Sequence, residues 1–234
     1  MNTQEQLKLV KEFMKVAGQK VNSEPTYQST KVSDFRTSLI DEEINGTNEL
    51  VESVQKDDLV GIVDGMADIL YVVYGALATF GISIDEYKLF KREEHHASIL
   101  YKHIASGFIR NIHSAFEQYK RGVECGDIIT IRRGLTGIIL EVNRFAEAAN
   151  YDLIGAFDEV HASNMSKFCS SEYDATESIT MRIAANDKNS KHYVGAGVRV
   201  VTIGDKNFYA IIRKEDGKVL KGKDYFEADL AKFA

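Results

Sequence analysis

The feature that most constrains the fold is a long apolar stretch with aspartates inside it, Asp57 to Phe80 (DDLVGIVDGMADILYVVYGALATF). At about 100° per residue, its apolar side chains cover most of a helix, and Asp64 and Asp68 project together from one flank. No Lys, Arg or His stands between Lys56 and Lys88. Because unpaired charges in an apolar interior are costly, these carboxylates need a partner from elsewhere, and a divalent cation is one candidate.

The segment before this stretch supplies further acids. Phe35 to Gln55 has an apolar stripe of helical period, which predicts a second long helix. On that helix Glu43 falls beside the stripe, Glu42 lies at its edge, and Glu49 points nearer to solvent. Acids on the packing faces of two paired helices are one way to build an oxygen-ligated Mg²⁺ site.

A structural role for the same residues is the alternative. Arg36 and Glu43 lie on similar sides of the first helix, so they can bond each other, while Asp64 and Asp68 cap or line a wet groove. Spacing alone does not separate this reading from a metal site.

Several segments resemble one known superfamily. They are RTSLIDEEI (Arg36 to Ile44), DGMADILYVVYGALATFGI (Asp64 to Ile82), AFDEVHASNMSKF (Ala156 to Phe168) and DGKVLKGKDYFEADL (Asp216 to Leu230). In this order they resemble the all-α nucleoside triphosphate pyrophosphohydrolases, and most of all the MazG-like branch often found in bacteriophages. The resemblance implies a mainly α fold with a four-helix-bundle-like core.

The resemblance also implies an activity and a site. The expected reaction is Mg²⁺-dependent hydrolysis of a (d)NTP to a (d)NMP and diphosphate, in nucleotide pool sanitation or phage nucleotide metabolism. The implied metal ligands, for Mg²⁺ or Mn²⁺, are Glu42, Glu43, Asp64 and Asp68, and Glu43 and Asp68 match best and are the expected catalytic residues. The alternative is a degenerate relative that binds or sequesters a nucleotide, or a protein, without turnover.

Two positions depart from the superfamily pattern. Its first motif is usually EExxE, but here Gly46 stands at the position of the third acid. Its second motif is usually ExxD, but here Gly65 stands at the position of the glutamate, three residues before Asp68. Asp64 is a possible substitute within the second motif. Glu49 is a poor substitute within the first, because a continuous helix turns it away.

The third resembling segment carries the candidate phosphate contacts. In EVHASNMSK, Asn164 and Lys167 lie one turn apart, with His161 one turn before them. A lysine and an amide suit a triphosphate, so Asn164 and Lys167 are the expected substrate-binding residues. The alternative for Lys167 is an interaction with the helix C-terminus.

The helix pair 34–82 repeats in degenerate form at 104–154. A shift of 69 positions carries Asp58 to Asp127 and Gly65 to Gly134. The second copy loses the acids, since Glu42, Glu43, Asp64 and Asp68 fall on Asn111, Ile112, Arg133 and Gly137. A helix pair needs another pair to bury its inner face, so we expect an intramolecular pseudo-dimer, with a homodimer as the other way to complete the core. Chance alignment of two amphipathic hairpins is the alternative.

The expected all-α core therefore spans 1–170, and 171–234 is predicted to be a small α+β appendage. Ser171 to Ala185 has helical character, and YVGAGVRVVTI and NFYAIIRK around Gly204-Asp205-Lys206 predict a hairpin. Val219-Leu220 is a candidate third strand. The neighbours His95 and His96 point about 100° apart on a helix and are not expected to share a metal.

Composition narrows the partners and the compartment. The net charge of −6, without a block of like charge, argues against a nucleic-acid partner. The two cysteines, Cys125 and Cys169, fit neither a disulfide framework nor a zinc site, which favours a reducing cytoplasm. The sequence shows neither a secretory signal nor a good membrane span, so no membrane partner is expected. The expected partner is a nucleoside triphosphate, as the superfamily resemblance implies.

Overall fold

The computed structural model describes residues 1–91, 102–215 and 217–234. The predicted mainly α fold with a small C-terminal β element is confirmed. The chain forms two compact units, one made of Met1–Lys11, Lys20–Val160 and Asp229–Ala234, the other of Glu12–Gln19 and His161–Ala228. The second unit thus begins before the predicted boundary at residue 170. His95, His96 and Asp216 lie outside the described residues.

The helices among the described residues are α1 (Thr3–Val16), α2 (Thr30–Asn45), α3 (Leu50–Lys56), α4 (Leu59–Phe80), α5 (Lys102–Cys125), α6 (Ile128–Ala149), α7 (Leu153–Met165) and α8 (Glu172–Ala184). The strands are β1 (Gly197–Ile203), β2 (Lys206–Ile212) and β3 (Val219–Leu220), and short 3-10 helices span Ser190–His192 and Ala231–Phe233.

Helix α4 is the central element of the first unit. It begins at Asp58, whose side chain accepts a hydrogen bond from the Gly61 N–H, and it ends at Gly81 in the left-handed region. Most of its side chains are buried. The helix is long and apolar enough to cross a membrane, but 67% of its most apolar stretch is buried inside the protein, as in a core helix.

The local structure of α4 repeats in α6. Asp127 caps α6 through the Ile129 N–H, and Asn150 ends the helix in the left-handed region. These residues are Asp58 and Gly81 shifted by the 69 positions of the sequence repeat. Caps of the same kind at both ends of both helices support the predicted internal duplication.

The two copies differ between α2 and α3, where the sequence predicted one continuous helix in the first copy. The predicted single helix from Phe35 to Gln55 is wrong: it breaks between α2 and α3, with Asn48 at a φ of 65°. Gly46, Thr47 and Asn48 are poor helix formers, and Asn adopts the left-handed region more readily than most residues. The second copy has Ala115-Phe116-Glu117-Gln118 at this place and continues as α5.

The second unit contains an antiparallel sheet in the order β1-β2-β3. The hairpin forms as predicted, with Gly197 opposite Ile212 and Ile203 opposite Lys206, and the third strand is also confirmed. Helix α8 contributes Ala175 and Ile179 to a core cluster with residues of the sheet. This unit is thus a small α+β element with its own apolar core.

Candidate functional site

The site is built from acids of α2, α4 and the break after α2. Glu43, Glu49, Asp64 and Asp68 are half-buried, whereas Glu42 is exposed. Buried Ile40 and Ile44 fix the inner face of α2, and this orientation brings Glu43 toward α4. The structure therefore brings Glu43 near Asp68, the two best-matching acids.

The surroundings of Glu43 disfavour its ionised form. Desolvation by burial, followed by the charges of Asp68, Glu49 and Glu42, raises the pKa of Glu43 to about 9. A paired arginine would lower this pKa instead, which argues against the alternative that Arg36 neutralises Glu43. Burial and the neighbouring acids thus favour the neutral form of Glu43.

Arg36 has a different environment. Its side chain is buried near Tyr119, and burial lowers the pKa of its guanidinium to about 10. The Tyr119 hydroxyl is in turn hydrogen-bonded to Thr37, with 3.3 Å between the oxygens. Arg36 therefore lies in the contact between α2 and α5.

Glu49 belongs to the cluster, contrary to the sequence prediction. The carboxyl group of Glu43 donates a hydrogen bond to Glu49, and Glu49 is also repelled by Asp64 and Glu42. The helical wheel failed because the chain breaks before Glu49, which changes the direction of its side chain. The Gly46-Thr47-Asn48 sequence was the signal that could have revealed this.

Asp64 of α4 interacts electrostatically with Glu49, which precedes α3. Burial raises the pKa of both carboxyl groups; Asp58 contributes further to the shift of Asp64, and Asp64 contributes to that of Glu49. In the other part of the cluster, the charge of Asp68 acts on Glu43 and raises its pKa. The predicted acids are accordingly joined by one more, Glu49.

Neither glycine that replaces a motif acid has room for a side chain. A Cβ atom on Gly46 would lie 2.4 Å from the Glu42 carbonyl oxygen and 3.0 Å from Cγ of Glu49. On Gly65 it would lie 2.8 Å from the backbone nitrogen of Leu50. The missing acids are therefore excluded by close backbone packing.

The donor set suits a hard divalent cation, because carboxylate oxygens are the ligands that Mg²⁺ and Mn²⁺ prefer. Within the described ranges, no three His, Cys, Asp or Glu side chains lie close enough together, as they stand, to hold an ion. A metal site at these residues would therefore require side-chain rotation. The carboxyl groups of the cluster are chemically suited to such a metal, but their rotamers do not place three of them around one point.

The predicted phosphate contacts lie in the second unit. Lys167 follows the end of α7 and its Nζ donates to Oδ1 of Asn164 at 2.6 Å. The ammonium also lies 5.9 Å from the ring centroid of Phe13. Burial lowers the pKa of the neighbouring His161. The structure brings Asn164 and Lys167 together, and their role in substrate binding stays a prediction.

Carboxylates clustered between paired helices are a donor arrangement that some helical proteins use to bind metal ions. Residues 10–90, which hold the whole acid cluster, match the family model of phosphoribosyl-ATP pyrophosphohydrolase. That family is a member of the all-α nucleoside triphosphate pyrophosphohydrolase superfamily, so the predicted resemblance is confirmed over this part of the chain.

Similarity to a viral protein extends beyond this segment. An uncharacterized protein of Acanthamoeba polyphaga mimivirus is 29% identical over 211 residues, which cover 82% of this chain and 79% of that protein. No solved structure matches the chain significantly. The superfamily supports a pyrophosphohydrolase-type activity, and the viral relative adds no assigned substrate.

Proposed function

We propose that this protein is a Mg²⁺-dependent nucleoside triphosphate pyrophosphohydrolase that converts a (d)NTP and water into a (d)NMP and diphosphate. One observation carries the proposal. Glu43 of α2 interacts electrostatically with Asp68 of α4, inside the segment that matches a pyrophosphohydrolase family, and carboxyl oxygens are the ligands that Mg²⁺ prefers. A triphosphate is a polyanion and does not bind such a cluster unless a metal neutralises it.

The ligands in this proposal are Glu42, Glu43, Asp64 and Asp68. These residues would hold a Mg²⁺ or Mn²⁺ ion, which would supply neutralisation of the phosphates and a lower pKa of the attacking water. Glu43 and Asp68 hold the inner side of the site, where burial excludes solvent and strengthens electrostatic interactions. Exposed Glu42 extends the ligand set toward the solvent from which the substrate arrives.

The second helix pair has a supporting role in this proposal. Arg133 and Gly137 of α6 occupy the positions of Asp64 and Asp68, so that copy lacks the acids needed for a second site. Its side chains instead bury the inner faces of α2 and α4, as Tyr119 does by packing its ring against Phe80. One chain would then supply both halves of the bundle, with a single working site.

The viral relative favours a place in viral nucleotide metabolism or pool sanitation. Both cysteines are free thiols, and Cys169 is buried. Free thiols are typical of a reducing compartment, which is also where nucleoside triphosphates are abundant, so we place the activity in the cytoplasm.

A second candidate function follows from the departures at Gly46 and Gly65. Because no three acids of the described parts of the chain surround one point as they stand, a protein that binds or sequesters a nucleotide without hydrolysing it is the competing proposal. The two candidates differ in one experimental outcome. A sequestering protein would bind the nucleotide without releasing diphosphate.

A panel of NTPs and dNTPs, incubated with the purified protein and Mg²⁺, tests the two candidates. Release of diphosphate and of the matching monophosphate, abolished by EDTA, is the result expected for the enzyme. Saturable nucleotide binding in calorimetry without diphosphate release would replace the first proposal with the second. The panel also identifies the base and the sugar, which no side chain of the cluster specifies.

A further inference from the structure

We propose that a basic surface of the second unit binds the phosphate backbone of a single-stranded nucleic acid, and that Tyr225 stacks on one of its bases. This inference goes beyond the proposed function and does not rest on it. The basic surface is formed by Arg182, Lys191, Arg213, Lys214, Lys218 and Lys221.

The charge of the chain is unevenly distributed along the sequence. Residues 182–221 include nine lysines and arginines but only four aspartates and glutamates, a formal charge of +5, whereas the whole chain carries −6. The rest of the chain therefore carries −11. The expectation of no nucleic-acid partner rested on the average charge, but phosphate binding depends on the local concentration of basic groups.

The fold gathers part of this segment around one buried aromatic residue, Tyr193. The Tyr193 hydroxyl donates a hydrogen bond to the carbonyl oxygen of Lys221, with 2.9 Å between the oxygens. Burial raises the pKa of this hydroxyl, and the charges of Arg182 and Lys221 oppose part of the rise. Both cations therefore lie close enough to Tyr193 to act on its ionisation, although they come from α8 and from the end of β3.

The ends of β2 and β3 bring further cations to the same surface. Nη1 of Arg213 lies 3.0 Å from Nδ1 of His192, and the Arg213 N–H donates a hydrogen bond to the carbonyl oxygen of Lys218. Lys214 reaches the loop before β1, where its Cδ atom would lie 3.6 Å from a Cβ atom on Gly195. Basic residues that are distant in sequence are thus neighbours in the fold.

Acidic groups offset this charge only in part. The carboxylate of Asp187 accepts hydrogen bonds from two backbone N–H groups of the following turn, and Glu227 lies 3.5 Å from Lys221. Lys191 and Lys214 are exposed, so their ammonium groups are accessible to a ligand. Exposed lysines on flexible stems suit a polyanion whose charges repeat along a chain.

Aromatic side chains favour a nucleic acid over other polyanions. Nζ of Lys221 lies 4.1 Å from the centroid of the Tyr225 ring, and the next residue, Phe226, is 45% exposed. A cation beside an accessible aromatic ring allows one nucleotide to place its phosphate on the lysine and its base on the ring. An acidic protein segment has no base to stack.

The exposed apolar side chains do not favour a membrane as the polyanion. Met181 and Ile183 of α8 are both exposed, but they are two residues apart and so differ in direction by about 200°. Val194 adds an exposed aliphatic side chain in the loop before β1. A helix that binds a membrane surface needs its apolar side chains on one face, so a nucleic acid fits these observations better.

Fluorescence anisotropy with a labelled oligodeoxythymidylate of about 20 nucleotides, in EDTA and at increasing KCl, tests the inference. Lys191→Gln/Lys214→Gln removes two cations of the basic surface. Lys8→Gln/Lys31→Gln is the matched control, because it removes two exposed lysines of the first unit. We expect the test variant to bind about tenfold or more weakly, and the slope of log affinity against log salt to become shallower by about 1–2. The control should match the wild type.

Tyr225→Leu tests the stacking step, because leucine keeps an apolar side chain beside Lys221 but offers no ring. It should weaken binding about fivefold or more and leave the salt slope unchanged. A Tyr225 with only a structural role would lower the Tm in this variant without a change in affinity.

Three results would overturn the inference. One is a wild-type protein that does not bind the oligonucleotide, or a lysine variant that binds it as the control does. Another is equal affinity for polyglutamate of the same length, which would show a general attraction to polyanions. The third is binding to vesicles that contain phosphatidylglycerol without binding to the oligonucleotide. The hydrolase proposal is tested separately, by release of diphosphate, and stands or falls independently.

Discussion

The backbone of Leu50 approaches Gly65 so closely that a Cβ atom on residue 65 would lie 2.8 Å from the Leu50 nitrogen. The same contact recurs in the second copy, where a Cβ atom on Gly134 would lie 2.4 Å from the nitrogen of Tyr119. Both pairs are related by the shift of 69 positions. A close helix crossing is thus built twice from one pattern, and in the first copy it lies directly beside the acids.

The first prediction tests this repeated crossing. Gly65→Ala and Gly134→Ala should each lower the free energy of unfolding by about 1–3 kcal/mol, because an added methyl group forces the helices apart. Gly107→Ala is the control, since an ideal Cβ atom on that residue of α5 meets nothing within 4 Å. It should be neutral or stabilising, because Ala favours a helix over Gly. Urea denaturation measures all three, and wild-type stability of either test variant would contradict the shared geometry.

The second prediction concerns the acids nearest the helix contact. Glu43→Gln and Asp68→Asn should each lower turnover by at least about a hundredfold, the scale of losing a charge that stabilises the transition state. Initial rates of diphosphate release measure the effect, with Glu117→Gln as the control because Glu117 is an exposed acid of α5. Near-normal rates in both variants, with intact folding by circular dichroism, would refute the site assignment.

The helical core and the grouping of the predicted acids could be inferred from the sequence. The apolar period of α4 fixes which side faces the interior, and Asp64 and Asp68 then follow from their positions on the flank. The pairing of Glu43 with α4 follows because Ile40 and Ile44 orient α2 in the same way. These inferences succeed because burial imposes one periodicity along each continuous helix.

The role of Glu49 was not predictable by the same reasoning. A helical wheel assigns a direction only while the helix continues, and the chain turns at Asn48 before Glu49 is reached. The packing of Gly65 on Leu50 was equally hidden, since it joins residues of different helices. Helical periodicity therefore does not predict where a helix breaks or how closely two helices cross. Both features shape the site of this protein.

The third prediction is a pH dependence of stability. The pKa of Glu43 rises from 4.5 to about 9 on folding, so between these values the folded state binds a proton that the unfolded state has lost. Stability in EDTA should therefore fall as the pH rises through this window, because the group contributes most below its unfolded pKa. Glu43→Gln should reduce this slope and raise the Tm at pH 8.

Metal binding should reduce the fall of stability with rising pH. Since a cation favours the ionised carboxyl, Mg²⁺ should raise the Tm of the wild type more at pH 8 than at pH 6. Differential scanning calorimetry at both values measures this. An equal Mg²⁺ effect at both pH values, or an unchanged slope in Glu43→Gln, would contradict the proposed environment of Glu43.

The last prediction separates the two roles of Lys167. If its ammonium contacts substrate phosphates, Lys167→Met should raise KM about tenfold or more, because a hydrogen bond to a charged group contributes about 1.5–3 kcal/mol. A purely structural lysine, bonded to Asn164 and placed over Phe13, would instead affect the Tm and leave KM unchanged. Lys206→Met is the control, because Lys206 lies similarly over the ring of Phe208 in the same unit but is outside the resembling segment. Steady-state kinetics of diphosphate release decide between the roles: a rise in KM specific to Lys167→Met assigns a phosphate contact, and equal KM values in both variants reject it.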